Sequence, residues 1–150
     1  MSSDLQPPRE WPTGLYMYTL FRALEDRVLQ AVVDAGGDIS RAQARLLAGI
    51  DPVNGTRLVA LADRARVSKQ TAVPLVDRLE EQGYVVRQPD PRDRRARLVK
   101  LSPMALELLE VARTAEHVVE SEWARVLGER RMASLRRAVI ELWSSEVTGN

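Results

Sequence analysis

The sequence predicts a mainly helical α+β fold: a helix-turn-helix followed by a β-hairpin, with long helices at both ends of the chain. Three observations support this prediction. Two short amphipathic segments, together spanning residues 56–83, are separated by only Arg66 and Val67. Strand-like segments and turn formers follow over residues 84–101, and further helical periodicity flanks the whole unit on both sides. A chain of 150 residues is expected to form a single domain.

The helix-turn-helix prediction depends on two apolar stripes. Both segments place apolar side chains at spacings of three and four residues, so each has one face that needs a partner. These stripes are Leu58, Leu61, Ala62 and Ala65, and then Ala72, Leu75, Val76 and Leu79. Ser68 is the expected N-cap of the second helix, and Gly83 is placed to end it in a left-handed conformation. Because the connection is so short, the helices must cross steeply.

The hairpin is predicted to have two short strands and a long tip. Residues 84–87 and 96–101 contain β-branched or aromatic side chains, which favour strands. The intervening segment is rich in residues typical of turns, namely Pro89, Asp90, Pro91 and Asp93. We therefore expect a wing, meaning a hairpin with an extended arginine-rich tip, directly after the second helix.

The N-terminal flank is predicted to contain an arm and a long helix. Residues 1–12 hold three prolines and no periodicity, which indicates an extended arm. Residues 13–35 keep one face apolar, and Gly36 and Gly37 are expected to end this helix.

A shorter helix is expected between this flank and the helix-turn-helix. Ser40 and Gln43 form a capping box that opens the helix, which is expected to end near Gly49. After a turn, Thr56 is expected to cap the first helix of the helix-turn-helix.

The C-terminal flank is predicted to be two helices. Ser102 followed by Pro103 opens the first, because proline at the first helical position has no N–H to satisfy. Gly128 separates it from the second, over residues 129–147. The second helix carries a packing seam of Met132, Leu135, Val139 and Leu142. This spacing alone is compatible either with an ordinary intramolecular bundle or with pairing between two subunits.

Composition and charge narrow the function. The net charge is +1, but residues 64–100 hold ten Lys and Arg against five Asp and Glu, whereas residues 1–63 and 101–150 each hold six against eight. The winged part is therefore basic, as expected of a surface that meets phosphate. With no cysteine, the chain lacks disulfides and thiolate metal sites. No apolar run approaches the ~20 residues of a membrane span, so we expect a cytoplasmic protein without membrane association.

The runs VSKQTAVPLVDRLEEQGYVVR and DPRDRRARLVKLS resemble the recognition helix and wing of the MarR family of winged-helix transcription regulators in order and spacing. The resemblance implies one MarR-type domain over residues 1–150, with the winged helix-turn-helix over residues 40–101. It also implies that residues 13–36 and 103–147 form dimerisation helices that interleave between the subunits of a homodimer. The implied partner is double-stranded DNA.

The expected DNA-binding residues lie on the second helix and the wing. By helical geometry the outward or flanking positions of that helix are Gln70, Thr71, Val73, Pro74, Asp77 and Arg78, and Ser68 and Lys69 lie at its N-terminus. Glutamine can pair with adenine, methyl groups can contact thymine, and arginine can reach guanine or phosphate. The resemblance implies that Arg95 enters the minor groove, steadied by Asp93, while Arg92, Arg94 and Arg97 contact phosphates. A solvated basic loop is the alternative interpretation.

The family resemblance also implies a small aromatic or amphipathic effector, for which Tyr16, Leu20, Phe21 and Trp123 are candidate contacts; core packing is the alternative for each. No cofactor and no metal site is predicted, and the lone His117 offers no catalytic constellation. The sequence therefore indicates a ligand-responsive repressor that binds a pseudo-palindromic operator as a homodimer. A winged-helix protein-interaction module without DNA binding is the second hypothesis, and an enzyme is a distant third.

Overall fold

The computed structural model describes residues 11–148, which contain six helices and three strands. In chain order these are α1 Thr13–Asp34, α2 Arg41–Ala48, β1 Thr56–Arg57, α3 Leu58–Arg64, α4 Lys69–Glu81, β2 Val85–Asp90, β3 Asp93–Leu101, α5 Pro103–Leu127 and α6 Glu129–Thr148. The chain divides into two compact units, with the boundary inside α5 between Arg113 and Thr114. The predicted arm over residues 1–12 lies almost entirely outside the described residues.

The first unit has its core between α2, the helix-turn-helix and the sheet. Both predicted apolar stripes are packed into it: Leu61, Ala62, Ala72, Val76 and Leu79 are buried, and Leu58, Ala65 and Leu75 are partly buried against them. α2 contributes Leu46, β2 Val85 and β3 Val99, each at most 1% exposed. Ala105 and Leu108 of α5 also pack against this cluster. The mainly helical winged helix-turn-helix fold is thus the one predicted.

The helix ends follow the capping signals in the sequence. Ser40 and Gln43 form the expected capping box of α2, and the Ser68 hydroxyl accepts the N–H of Thr71 at the start of α4. Gly83 follows α4 with a φ of 79°, a left-handed conformation that glycine adopts without steric cost. The Ser102 hydroxyl accepts the N–H of Ala105, as expected for the N-cap of α5.

The sheet contains a strand that the sequence did not indicate. Its order is β1-β3-β2 with antiparallel pairing throughout, and Thr56 of β1 pairs with Val99 of β3. The prediction that Thr56 caps the next helix was wrong: its hydroxyl accepts the N–H of Asp51 instead, at 2.9 Å, and Arg57 takes the N-cap position. Pairing with β3 holds the Thr56 backbone in the sheet, so its side chain turns back to the preceding loop.

The wing is longer and its tip tighter than predicted. β2 and β3 extend to Asp90 and Asp93, leaving only Pro91 and Arg92 between them. Of the predicted turn formers, only Pro91 stays in the turn; Pro89 lies within β2 because β2 is an edge strand, where proline does not interrupt the pairing between strands. Pro89 accordingly pairs with a residue of β3.

The second unit consists of residues 114–148, the C-terminal half of α5 and α6. Gly128, with a φ of 80°, separates the two helices as predicted. An ion pair at 3.5 Å joins Arg136 of α6 to Glu120 of α5. Much of the apolar surface of α6 is exposed, between 41 and 65% of each side chain, at Leu135, Val139, Ile140, Leu142, Trp143 and Val147.

Candidate nucleic-acid interface

The second helix of the helix-turn-helix, α4, presents one polar face to solvent. Ala72, Val76 and Leu79 are buried on its other face. All the predicted DNA-contacting residues of this segment are exposed except Val73, which is half-buried: they are Ser68, Lys69, Gln70, Thr71, Pro74 and Arg78. The helix therefore presents hydroxyl, amide, ammonium and guanidinium groups on the side away from the core, the mixture that can read base edges and phosphates.

Pro74 lies inside α4 without ending it. A proline in a helix interior lacks the N–H that would bond the carbonyl four residues earlier, here that of Gln70. Gln70 and Pro74 are both exposed, so the missing hydrogen bond lies on the side of α4 away from the core. The anomaly therefore affects the outer face of α4 and leaves its buried stripe intact.

A polar clamp holds the C-terminal end of α4 on α2. The Gln43 side-chain amide donates to the Gln82 side-chain oxygen at 2.7 Å, and the Gln82 amide donates to the Asp38 carbonyl at 2.9 Å. The Tyr84 hydroxyl accepts the Asp38 N–H at 2.8 Å. Gln43 is only 4% exposed, so these hydrogen bonds replace the hydrogen bonds to water that its amide loses on burial. Sequence reasoning identified Gln43 only as a capping residue and missed this clamp.

Arg87 of β2 ties the wing to α4. Its guanidinium donates to the carboxylates of Asp77 and Glu80, and its backbone N–H donates to the Glu80 carboxylate at 3.1 Å. These two acidic residues are thus paired within the fold. Asp77, which helical geometry turned to the flank of the presumed DNA face, is better described as part of the connection between α4 and the wing.

The tip of the wing is fixed by Asp90 and Arg57. The Arg57 guanidinium donates to Asp90 Oδ2 from Nε at 2.7 Å and from Nη2 at 2.6 Å, while Asp90 Oδ1 accepts the N–H of Arg92 at 2.9 Å. The hydrogen bond from the Arg92 N–H and, next, the hydrogen bonds from the Arg57 guanidinium lower the pKa of Asp90. The pair joins β1 to the wing tip. Sequence reasoning assigned Asp90 only a turn-forming role and gave Arg57 none.

The wing arginines lie in an irregular part of β3. The pairing register passes from Pro89–Arg97 directly to Asp90–Asp93, so Arg94, Arg95 and Ala96 bulge without a partner among the residues of β2. Such a bulge redirects side chains at the end of a hairpin. Asp93 and Arg95, linked by the family resemblance, do interact, but Asp93 Oδ1 accepts the backbone N–H of Arg95 at 3.1 Å rather than its guanidinium. Asp93 therefore fixes the backbone that carries Arg95.

The exposed charge of this surface is strongly positive. Residues 64–100 contain five acidic residues. Three of these, Asp77, Glu80 and Asp90, are paired with arginines. Within the part of the chain that the structure describes, none of the exposed basic residues predicted to meet DNA forms an ion pair; these are Lys69, Arg78, Arg92, Arg94, Arg95 and Arg97. The acidic groups are largely neutralised, so the outward potential comes from unpaired cations.

The candidate effector residues are divided between the two units. Tyr16, Leu20 and Phe21 lie on α1 in the first unit, and Trp123 lies on α5 in the second. Leu20 and Phe21 are about half exposed, whereas Tyr16 and Trp123 are half-buried. The Tyr16 ring lies 5.7 Å from the ring of Trp11, centroid to centroid. Their contact with an effector stays a prediction.

Other kinds of site find no support in the described residues. Over residues 11–148 no cluster of His, Asp or Glu is arranged to hold a metal ion. Within the same range, no helix has both the length and the apolar character needed to cross a membrane. The polar face of α4 and the wing remain the candidate site.

Comparison with known proteins identifies the family. A family model described as the MarR family matches residues 37–96, which include α2, the helix-turn-helix and most of the wing. HosA, a transcriptional regulator of Escherichia coli O111:H-, is 30% identical over 95 residues, covering 63% of this chain and 70% of HosA. The chain belongs to the MarR family.

A second relative of this MarR-family chain is the transcriptional activatory protein BadR of Rhodopseudomonas palustris. It is 36% identical over 76 residues, which cover 51% of this chain and 42% of BadR, so the match spans less than half of BadR's length. Both relatives are transcriptional regulators and neither is an enzyme by name. The protein is accordingly a MarR-family transcriptional regulator.

Solved structures agree with the MarR-family fold. A crystal structure of MarR aligns with a TM-score of 0.78 at 22% identity, covering 94% of this chain and 95% of that one. The repressor CouR bound to a 23-mer DNA duplex aligns with a TM-score of 0.68 at 20% identity, over 87% and 92% of the two chains. CouR from Rhodococcus jostii RHA1 has also been solved with p-coumaroyl-CoA, with a TM-score of 0.67 at 21% identity, over 86% and 90%.

Proposed function

We propose that this MarR-family regulator is a ligand-responsive repressor that binds a pseudo-palindromic DNA operator as a homodimer. The observation that carries the proposal is the exposed, unpaired positive charge on one helix and on the wing beside it. α4 is the proposed reader of the major groove, through Gln70, Thr71, Val73 and Arg78. Arg95 is the proposed minor-groove contact, at the bulge near the end of the wing.

The homodimer is proposed from the apolar surface of the terminal helices. α6 exposes a row of large apolar side chains, and α1 exposes Leu15, Met17, Tyr18, Leu20 and Phe21. Contiguous apolar surface of this kind marks an interaction site rather than an ordinary solvated helix. A second copy of the same chain is the proposed partner because the family resemblance implies terminal helices that interleave between two subunits, with residues 13–36 and 103–147 as the proposed dimerisation helices.

The effector is proposed by analogy with CouR, which has been solved bound to p-coumaroyl-CoA. We expect a small aromatic or amphipathic compound to bind near α1, with Tyr16, Leu20, Phe21 and Trp123 as candidate contacts. Binding that favours a DNA-incompetent arrangement of the dimer would release the operator by shifting the population between two states. Release of DNA by phenolic acids, together with a change in tryptophan fluorescence, tests this part of the proposal.

Selection of DNA fragments from a random pool by the purified protein is the direct test of operator binding. We expect enrichment of an inverted repeat whose half-sites lie about 10 bp apart, centre to centre, because a dimer places two recognition helices on one face of the duplex. No enrichment of any duplex would reject DNA recognition. The protein-interaction module would then become the better hypothesis.

A matched pair of variants locates the interface. Arg95→Ala and Arg125→Ala each remove one positive charge, but only Arg95 lies on the wing; Arg125 is an exposed residue of α5. Arg95→Ala is expected to weaken binding to the selected fragment and to lower the slope of log affinity against log salt by about 1 per subunit. Arg125→Ala is expected to change neither quantity. Equal losses from both variants would indicate only a diffuse effect of net charge.

A further inference from the structure

The turn between α3 and α4 contains an arginine in a conformation that usually belongs to glycine. Arg66 has a φ of 55°, the only positive φ of a non-glycine residue between residues 11 and 148. Its N–H donates to the Asp63 carbonyl at 3.1 Å, and the N–H of Val67 donates to the Ala62 carbonyl, also at 3.1 Å. This pair of bonds is a Schellman motif, with Arg66 at the left-handed C′ position after α3.

Elsewhere the chain uses glycine at the same kind of position. Gly36, Gly83 and Gly128 follow α1, α4 and α5, with φ values of 94°, 79° and 80°. A side chain with a Cβ is disfavoured in this conformation, because the Cβ approaches the following carbonyl oxygen. Glycine would therefore suit the end of α3 as well, and the strain at Arg66 points to a use for its side chain.

The Arg66 side chain is not used by the fold. It is exposed, and over residues 11–148 its guanidinium takes part in no hydrogen bond or ion pair. Arg64, two residues earlier, differs: its Nη1 donates to the carbonyl of Gly49 at 2.7 Å, which ties α3 to the end of α2. Arg66 thus presents a cation to solvent from the turn, two residues before Ser68, the N-cap of α4.

We propose that Arg66 contacts a DNA phosphate and holds the start of α4 against the backbone of the duplex. This inference rests on the proposed DNA binding and adds a residue that sequence reasoning did not include in the interface. The left-handed turn fixes where the side chain leaves the main chain, and the long arginine side chain reaches from there towards a phosphate. Such a contact orients the helix-turn-helix without specifying a base.

A set of three variants separates the side chain from the strain. Arg66→Ala removes the guanidinium and keeps the strained Cβ, Arg66→Gly removes both, and Arg66→Lys keeps charge and strain. We expect the melting temperature of Arg66→Gly to exceed that of Arg66→Ala by about 2–4 °C, the shift typical of relieving such strain in a chain of this size. Arg125→Ala serves as the charge-matched control away from the winged helix-turn-helix of residues 40–101.

The affinity for DNA is expected to depend on the presence of the guanidinium and not on the stability of the variant. Arg66→Gly and Arg66→Ala should both bind the selected duplex about three- to tenfold less tightly, and the salt slope should fall by about 1 per subunit. Both should lose about the same factor on a random duplex of equal length, because a phosphate contact is independent of sequence. Arg66→Lys should retain most of the affinity.

The outcomes separate this inference from the proposed function. If Arg66→Gly binds with wild-type affinity and an unchanged salt slope while Arg95→Ala is impaired, DNA binding stands and the Arg66 contact is rejected. If the loss is confined to the selected duplex, Arg66 reads a base and the phosphate assignment is wrong. If the wild-type protein binds neither duplex, the proposed function fails and the inference fails with it.

Discussion

The winged unit, residues 40–101, and the terminal helices α1 and α6 differ in how they satisfy their apolar surface. In the winged unit the predicted stripes meet each other and the sheet, and Leu46, Leu61 and Leu79 are fully buried. On α6 the predicted seam is still open to solvent: Leu135 is 43% exposed and Leu142 57% exposed. The same helical periodicity therefore has two different outcomes in one chain.

This difference matters for the stability of each region. Burying an apolar side chain stabilises a fold in proportion to the area removed from water, about 25 cal/mol per Å². The winged unit obtains this stabilisation from its own elements. The terminal helices leave large aliphatic and aromatic groups exposed, and burial of these groups in the proposed homodimer would stabilise them further.

The largest expected effect comes from placing charge on the α6 seam. Leu135→Glu combined with Leu142→Glu should convert the proposed dimer to monomer at micromolar concentration, because burying two unpaired carboxylates in an interface costs several kcal/mol. Operator affinity should fall by about 100-fold or more, since a single winged unit forms only half of the contacts. Sedimentation equilibrium and binding to the selected fragment measure the two effects.

Two controls sharpen this comparison. Arg130→Gln combined with Arg137→Gln makes the same change in net charge on the polar side of α6, roughly opposite the seam, and should leave the dimer intact. Leu79→Ala, in the buried core, should lower the free energy of unfolding by about 2–5 kcal/mol at every protein concentration. A dimer that survives the seam glutamates would show that the exposed face of α6 has a different role.

A smaller effect is expected inside the winged unit, at the Asp90–Arg57 pair. Asp90→Asn keeps an oxygen to accept the Arg92 N–H but removes the charge that holds Arg57. We expect operator affinity to fall about three- to tenfold, because a wing less firmly joined to β1 must be ordered on binding. The free energy of unfolding should change little, since Arg57 is half exposed and solvent screens the pair. Hydrogen exchange at the Arg92 amide reports whether the tip has loosened; unchanged exchange with unchanged affinity would reject this role.

The capping and periodicity signals predicted the helices well because they act locally. Ser40, Ser68 and Gly83 perform the roles that their residue types and positions indicate, and the helix breaks fall where expected. The errors concern pairings between distant segments. Thr56 was expected to cap a helix because no local pattern announces a two-residue strand whose existence depends on β3, more than 40 residues away.

The sequence predicted which residues of the candidate site are exposed. It did not predict the hydrogen bonds and ion pairs that support them. The outward positions of α4 follow from helical geometry, and all but Val73 are exposed. Two of the supports were missed because they join segments far apart in the chain, as Gln43 joins Gln82 and Arg57 joins Asp90. Among the residues that were missed, only Arg66 is marked by the sequence itself, because an arginine there occupies a turn position that glycine fills at other helix ends in this chain.

The ion pairs that join α1 to α2 of the winged unit are expected to depend on pH. Glu25 of α1 accepts hydrogen bonds from Arg45 and Arg41 of α2, at 2.6 and 2.7 Å, and from Arg22 at 3.0 Å. Arg45 foremost, and then Arg41, lower the pKa of Glu25 from 4.5 to about 2, although burial opposes the shift. A lowered folded-state pKa means that the stabilisation is complete above pH 4.5 and is lost as the pH falls towards 2.

Urea unfolding of Glu25→Gln and wild type at several pH values measures this contribution. The variant should be less stable by about 1–2 kcal/mol at pH 6, after allowance for solvent screening, and the difference should vanish near pH 2. Glu107→Gln, an exposed carboxylate of α5, is the control and should change little at either pH. A difference between Glu25→Gln and wild type that did not vary with pH would place its cause outside the ionisation of Glu25.

The smallest effect, and the most diagnostic in sign, is expected at Asp93. Its carboxylate accepts the backbone N–H of Arg95, so Asp93→Ala removes the bond that fixes the bulge, whereas Asp93→Asn keeps an acceptor and removes only the charge. If position governs the wing, Asp93→Ala should bind the operator about two- to threefold less tightly, because the freed backbone must be ordered on binding. Asp93→Asn should bind as tightly as wild type or slightly better, since it loses a repulsive charge near phosphate. If the wing is instead a diffuse basic loop, both variants lose the same negative charge. Both should then bind more tightly by the same factor. Measuring the pair at one moderate salt concentration therefore decides whether Arg95 acts from a fixed position or only by its charge.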